Sequence, residues 1–389
     1  MFSKRTEWKL TPNRFSEAQA ELRAAGMEVL DLSVSNPTQV ELHYDEEAIM
    51  QSLIQPDALD YDPQPKGLLS ARNSVARYYH DAHGLFDLDP ASVILTTSTS
   101  EAYSYVFRLL CNPDDEILVP KPSYPLFEFL ADLQDVKLAP YPLIYDDGWQ
   151  IDFPSLYKAV NHRTRAVVVV HPNNPTGSYA SAEECGQLNN FCAEFNLPLI
   201  VDEVFLDYAH DGASRSSLAA NDQVLTFTLS GISKISGLPQ MKIAWLVTSG
   251  PQAPKSEALA RLEIIADTYL SMNAPLQLAT GVFLEQRKGL QPLLLDRVRT
   301  NLQELDRQLS HQKICERLRV DGGWSAILRV PAVQADEDLA IKLLRKVAVL
   351  VHPGHFYDFP KDGYLVLSLI TPTEAFREGI HRIFTVLND

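Results

Sequence analysis

AVVVVHPNNPTG, residues 166–177, joins four consecutive valines to a turn of Asn, Pro, Thr and Gly. A strand with one wet face alternates apolar and polar side chains, but four valines in a row leave no polar face, so this strand is expected to be buried on both sides. Such strands belong to parallel sheets covered by helices. From about residue 90 the same order of apolar strand, polar turn and amphipathic helix recurs, with strands expected at Val93–Thr96, Glu116–Val119, Leu199–Val201 and Val224–Phe227. The fold class expected is therefore α/β, with a large domain over 46–285 whose mostly parallel central sheet is flanked by helices. A smaller α/β domain follows over 286–389, where a long helix through Gln303–Asp306 precedes strands at Ser325–Leu328 and Leu365–Ser368. Residues 1–45 are expected to pack with that smaller domain. In an open sheet of this kind the chemistry gathers at the carboxyl ends of the strands.

Composition narrows the function. The chain has 389 residues, 46% hydrophobic and 22% charged, enough for a large core and two closely joined domains. A formal charge of −16 and a pI near 5.1 argue against a nucleic-acid partner, which calls for a basic stripe. The four cysteines (Cys111, Cys185, Cys192, Cys315) form no CxxC pair, so they read as packed, reduced thiols, and no metal site is expected. The N-terminal MFSKRTEWKLTPNRF has no apolar signal core, and no run approaches the roughly 18 apolar residues that span a bilayer. A cytoplasmic protein without a membrane partner is expected.

SGISKISGLPQMK, residues 230–242, sets Lys234 among serines and glycines just after an apolar run. It is either a solvated loop lysine or an amine kept partly neutral in a dry site, able to form a Schiff base with an aldehyde such as pyridoxal phosphate. Upstream, the strand Leu199–Val201 ends in Asp202 and Glu203. Asp202 either caps a helix or meets a cation such as a protonated pyridinium nitrogen. After the four valines, Asn174 can donate its amide to a ring hydroxyl, or serve the turn alone, and its bond to Pro175 is a candidate for the cis form.

ILTTSTSEAY, residues 94–103, leads from a strand into a helix whose start carries Ser98, Thr99 and Ser100. Free amides and hydroxyls there make a phosphate cup, although capping alone also explains each of them. In KPSYP, residues 121–125, Tyr124 follows another strand end, placed either to stack on a flat ring or to close the core.

Taken in order and spacing, Ser98-Thr99-Ser100, Tyr124, Asn174, Asp202 and Lys234 make the chain resemble the fold-type-I pyridoxal-phosphate aminotransferases of class I/II, from about Leu32 onward. The resemblance implies that Lys234 is the Schiff-base lysine and proton shuttle, that Asp202 pairs with the pyridinium and that Asn174 binds O3′. It further implies that Tyr124 stacks on the ring, that residues 98–100 hold the phosphate, and that Ser233 and Lys242 lie with the cofactor. Ser35 and Asn174 would face the substrate. Tyr61, in YDPQPKG, matches a tyrosine that reaches the phosphate of the neighbouring subunit, which implies a homodimer with shared sites.

Three positions depart from the family pattern. Lys242 stands where arginine is frequent, eight positions after the lysine; an ammonium neutralises phosphate but lacks the two-pronged fork. Val366, in GYLVLSLITP, stands where the family has the arginine that clamps the substrate carboxylate, which leaves either Arg14 or Arg261 as replacement or a substrate other than a simple α-amino acid. Ser35 also falls where the family has glycine. The main expectation is transamination between an amino acid, or a related amine, and a 2-oxo acid. The alternatives are a β-lyase on the same cofactor and a cofactor-sensing module.

Phe205 is the third departure, standing where the family has a tyrosine that donates to O3′. Without that hydroxyl the Schiff base should hold its proton more tightly, so Phe205→Tyr is expected to lower the pKa read by titrating the bound chromophore. Identical titration curves for the two proteins would disprove the assignment.

Overall fold

In the computed structural model, which describes residues 1–125, 127–213, 215–270 and 272–388, the four valines lie in the strand Thr164–Val170. It is the fifth of eight strands, in the order Val93–Thr96, Ala244–Ser249, Thr226–Gly231, Leu199–Asp202, Thr164–Val170, Glu116–Lys121, Lys137–Tyr145, Trp149–Ile151. Side chains alternate across a strand, and both faces are dry here. Ala166, Val168 and Val170 enter one core with Tyr103, Phe107 and Leu262, whereas Val167 and Val169 enter another with Leu156, Leu188 and Phe191. Helices Thr99–Leu110 and Gln252–Tyr269 cover the first face, and Phe153–Ala159 and Ala182–Phe195 the second.

From Thr226–Gly231 through Lys137–Tyr145 every neighbouring pair is parallel. Ala244–Ser249 breaks the pattern by running antiparallel to both of its neighbours, and Trp149–Ile151 closes the far edge as a hairpin. The strand expected at Val224–Phe227 is displaced to Thr226–Gly231. Its polar members Thr228 and Ser230 are fully buried, so the small hydroxyls that weakened its sequence signal belong to the interior.

A four-stranded antiparallel sheet, Glu316–Arg317, Ser325–Arg329, Tyr364–Ser368 and His352–Pro353, forms the second layer of the molecule. Helices Arg287–Leu309, Asp336–Val347 and Thr373–Asn388 pack beside it through Leu294, Leu343, Leu344, Phe376 and Ile380. Phe15, Ala18 and Leu22 of the helix Arg14–Ala24 join this same core, and Leu30–Asp31 pairs in parallel with Val349–Leu350. Among the described residues no helix is long and apolar enough to cross a membrane.

The join between sheet and site passes through Gly231, the last residue of its strand. A Cβ there would lie 2.9 Å from both the Ile243 carbonyl oxygen and the Ala244 Cβ on the pairing strand. Gly186, inside the helix Ala182–Phe195, has nothing within 4 Å of the same position. Gly231→Ala should therefore cost about 2 kcal/mol through overpacking. Gly186→Ala should gain about 0.5–1 kcal/mol from helix propensity. Thermal melts of the two variants should move in opposite directions, and equal shifts would refute this account of the join.

Candidate active site

The strands Val93–Thr96, Glu116–Lys121, Thr164–Val170, Leu199–Asp202 and Thr226–Gly231 all end on the same edge of the large sheet. The segments that leave those ends surround one cavity of about 350 Å³. Ser35, Ser98, Thr99, Ser100, Tyr124, Asn174, Asp202, Phe205, Ser233 and Lys234 all line it. Residues as far apart in sequence as Ser98 and Lys234 thus meet because the strands they follow end on one edge of the sheet.

Lys234 rides on the one-turn helix Ile232–Ile235, directly after Gly231. Tyr208 fixes that turn by donating its hydroxyl to the Lys234 carbonyl at 2.6 Å, and the Gln291 amide donates to the Ile235 carbonyl at 2.9 Å. The ammonium donates to the Ser35 carbonyl at 3.2 Å and lies 4.8 Å from the centre of the Trp324 ring and 5.4 Å from that of Phe205. Burial pulls its pKa down to about 8, with the negative charge of Asp202 resisting. An amine tuned this way is largely protonated at neutral pH yet loses its proton readily, as a nucleophile and proton carrier requires.

Asp202 and Glu203 part company because successive residues of a strand face opposite ways. Asp202 enters the cavity, where it accepts from the Tyr103 hydroxyl at 3.1 Å and the Val204 amide at 3.2 Å. Burial pushes its pKa up to about 6, against those hydrogen bonds and the charge on Lys234. Glu203 is buried away from the cavity, held by the Ser217 hydroxyl at 2.6 Å and the Leu218 amide at 2.7 Å. A half-buried carboxylate that receives two neutral donors and, among the described residues, no direct ion pair suits a protonated ring nitrogen.

Ser98 is the N-cap of Thr99–Leu110, its hydroxyl accepting from the Glu101 amide at 3.2 Å. Capping thus accounts for Ser98, but the hydroxyls of Thr99 and Ser100 donate to no described residue. The first amides of the helix lack intrahelical acceptors by construction. Together they offer donors to an anion at the cavity wall. Tyr124 is 46% exposed and presents its ring to the same space. The Asn174–Pro175 bond is cis, as are Lys121–Pro122 and His171–Pro172. The donors, the amine, the isolated carboxylate and the flat aromatic wall together fit pyridoxal phosphate.

Other expected residues lie elsewhere. Lys242 is solvent-exposed in a left-handed turn and does not line the cavity. Tyr61 is 82% exposed and also lies outside it. Neither Arg14 nor Arg261 replaces the missing clamp: Arg14 pairs with Glu337 and Asp338, Arg261 with Glu257, and both are at the surface. Val366 is buried and lines the cavity. Sequence reasoning passed over Tyr103, Trp324, His352 and Tyr357, which also line it. Tyr103 could have been found, since it falls one helical turn inside the segment that begins at Ser98; the other three come from the smaller sheet and the segments that adjoin it, and carry no local motif.

A family model, Aminotransferase class I and II, matches residues 27–383. An alanine aminotransferase of Mycobacterium tuberculosis is 29% identical over 376 residues, covering 94% of this chain and 86% of that enzyme. The glutamate-pyruvate aminotransferase AlaA of Haemophilus influenzae is 26% identical over 377 residues, covering 95% and 93%. In three dimensions, an alanine aminotransferase from Pyrococcus furiosus superposes with a TM-score of 0.89 over the whole of both chains at 22% identity, which speaks for the fold.

The coupling of Asp202 to Lys234 has a measurable sign. In the cofactor-free protein, the pH dependence of reductive methylation at Lys234, followed by peptide mass spectrometry, should have its midpoint near 8. Asp202→Asn removes the charge that favours the ammonium, so the Lys234 midpoint should fall below that of the wild type; a rise would contradict the geometry.

Proposed function

The chain belongs to the class I and II aminotransferases, which use pyridoxal phosphate, and we propose that it moves an amino group between a small α-amino acid and a 2-oxo acid at Lys234. The observation that carries this reading is the meeting of Lys234 and Asp202 in one cavity, the amine lowered and the carboxylate isolated. Pyridoxal phosphate, when bound, supplies an aldehyde and an electron-withdrawing ring that accepts the electrons of the substrate's Cα–H bond. Lys234 Nζ would be the amine that holds the aldehyde and the group that carries the substrate's Cα proton. Asp202 holds the proton on the ring nitrogen, which keeps the ring electron-poor. Thr99 and Ser100, with Ser233 beside the lysine, bind the phosphate; Asn174 donates to O3′; Tyr124 covers one face of the ring and excludes water from it.

The names of the relatives, alanine and glutamate-pyruvate aminotransferase, favour transamination over elimination. They also point to alanine or glutamate as donor, with the matching 2-oxo acid as acceptor. The chain acts as a homodimer in this reading. Tyr61 and the neighbouring Leu59 are 82% and 91% exposed, which supports a contact with a second copy whose phosphate Tyr61 would reach. Lys242, outside its own cavity, supports the phosphate from a greater distance. The four free thiols suit a reducing compartment, the cytoplasm.

With L-alanine and 2-oxoglutarate, the purified holoenzyme should form pyruvate and glutamate in equal amounts. Lys234→Ala should lower that rate by about 10³-fold or more, the contribution of a positioned proton carrier and nucleophile. Free ammonia in place of glutamate, or full activity in Lys234→Ala, would overturn the assignment. Sedimentation at micromolar concentration should give twice the mass of one 43.6 kDa chain.

A further inference from the structure

An α-carboxylate entering this cavity meets no guanidinium, for among the described residues that line it none is arginine. Its charged or readily titrated side chains are Asp202, Lys234 and His352. Lys234 is committed to the cofactor and Asp202 repels a carboxylate, which leaves the imidazole.

His352 stands beside the gap. In the antiparallel pair of His352–Pro353 with Tyr364–Ser368, its direct cross-strand partner is Val366, the position where the resemblance places the clamping arginine. Residues paired in this way share a face of the sheet, their Cβ atoms about 5 Å apart. The imidazole is also held in one orientation. Its Nδ1 lies 3.0 Å from the Tyr357 hydroxyl, and the Phe356 ring packs 5.7 Å from it. Tyr357 is itself buried in the wall of the cavity. When Tyr357 donates to Nδ1, the ring proton resides on Nε2, and Nε2 becomes a donor. Nε2 makes no hydrogen bond to a described residue and is not a buried orphan, so it remains open.

We propose that His352, braced by Tyr357, receives the carboxylate of the substrate through Nε2, replacing the absent guanidinium with a single directed donor. The proposal rests on the transaminase reading, which brings the substrate amine to Lys234 and leaves its carboxylate to be bound elsewhere in the cavity. One donor in place of a two-pronged fork gives a weaker and less rigid clamp. Burial holds the imidazole pKa below its ordinary value, with Asp31 opposing from the strand Leu30–Asp31. Around it, Tyr357 is the titratable group in contact and Val366 brings no charge. On the packed helix, Asp336 Oδ1 accepts from the Gly363 and Tyr364 amides, while its Oδ2 is buried without a hydrogen-bond partner among the described residues. A bound carboxylate therefore adds a new negative neighbour and should raise the pKa of the ring.

The test compares L-alanine with ethylamine, the same molecule without its carboxylate, on the holoenzyme by bleaching of the chromophore. His352→Ala should reduce the preference for alanine over ethylamine by about 10- to 100-fold, through the apparent KM rather than the limiting rate. His352→Arg should restore the preference. A merely structural role would weaken both amines together. In the wild type, titration of the His352 ring by NMR should give a higher pKa with pyruvate present than without. An unchanged preference in His352→Ala, or ring signals indifferent to pyruvate, overturns the proposal. A wild-type chromophore that alanine fails to bleach overturns the transaminase reading instead, while the pyruvate titration needs no turnover and still decides the carboxylate contact.

Discussion

The site depends on two opposite charges buried in one cavity. Asp202 closes the strand Leu199–Asp202, and Lys234 follows the neighbouring strand Thr226–Gly231; parallel pairing of Asp202 with Leu229 fixes their separation. Burial disfavours both ions, which is why the carboxyl moves up to about 6 and the amine down to about 8. Each restrains the other's shift through charge. Neither would be tolerated alone in a loose loop, where water would restore ordinary values and remove the reactivity. The sheet supplies the rigidity, since all side chains of both strands but the terminal Asp202 are buried.

The smaller unit completes what the sheet begins. Trp324 arrives on the segment that precedes Ser325–Arg329 and sits over the ammonium of Lys234, while Phe205 and Tyr208 pack edge-on against it at 5.2 and 5.0 Å. Backbone bonds tie this segment to the large sheet's side: the Gly323 amide donates to the Tyr208 carbonyl and the His210 amide to the Asp321 carbonyl, each at 2.9 Å. The lysine is thus enclosed by aromatic faces from both units. Such faces attract a cation and at the same time exclude water from it, and it is the loss of water that lowers the pKa of the amine.

Much of this was legible in the sequence, and the limits have physical causes. Four valines, buried on both faces, announce their strand because nothing polar interrupts them. Lys137–Tyr145 gave no such signal, since it carries Pro140 and Pro142 and is largely half-exposed near the edge of the sheet. Lys234, Asp202 and Asn174 were readable because each follows a strand end within a few residues, where local order dictates position. The choice of Asp202 over Glu203, made from the sequence, has its physical reason in the pleat of the strand. Arg14 and Arg261 were plausible by type alone, and only their partners Asp338 and Glu257 show that they are occupied elsewhere. His352 had no motif around it; it joins the site through a cross-strand pairing that no local pattern reveals.

The charge of the whole chain constrains how its anionic ligands can be held. At −16, the protein's long-range field repels both a phosphate and a carboxylate. Physiological salt screens that field over about 8 Å, so what remains decisive is the set of donors within contact distance. These are unpaired groups rather than full charges: the free amides and hydroxyls at Thr99 and Ser100, and the single open nitrogen of His352. Many arginine and lysine side chains at the surface are engaged in ion pairs with the abundant carboxylates, as Arg14, Arg261 and Arg377 illustrate. An acidic chain that keeps its cations so engaged must recognise anions with oriented dipoles, and dipoles act only where backbone and ring are already fixed. That requirement explains why the proposed contacts of Thr99, Ser100 and His352 fall on a helix start and on a braced strand residue.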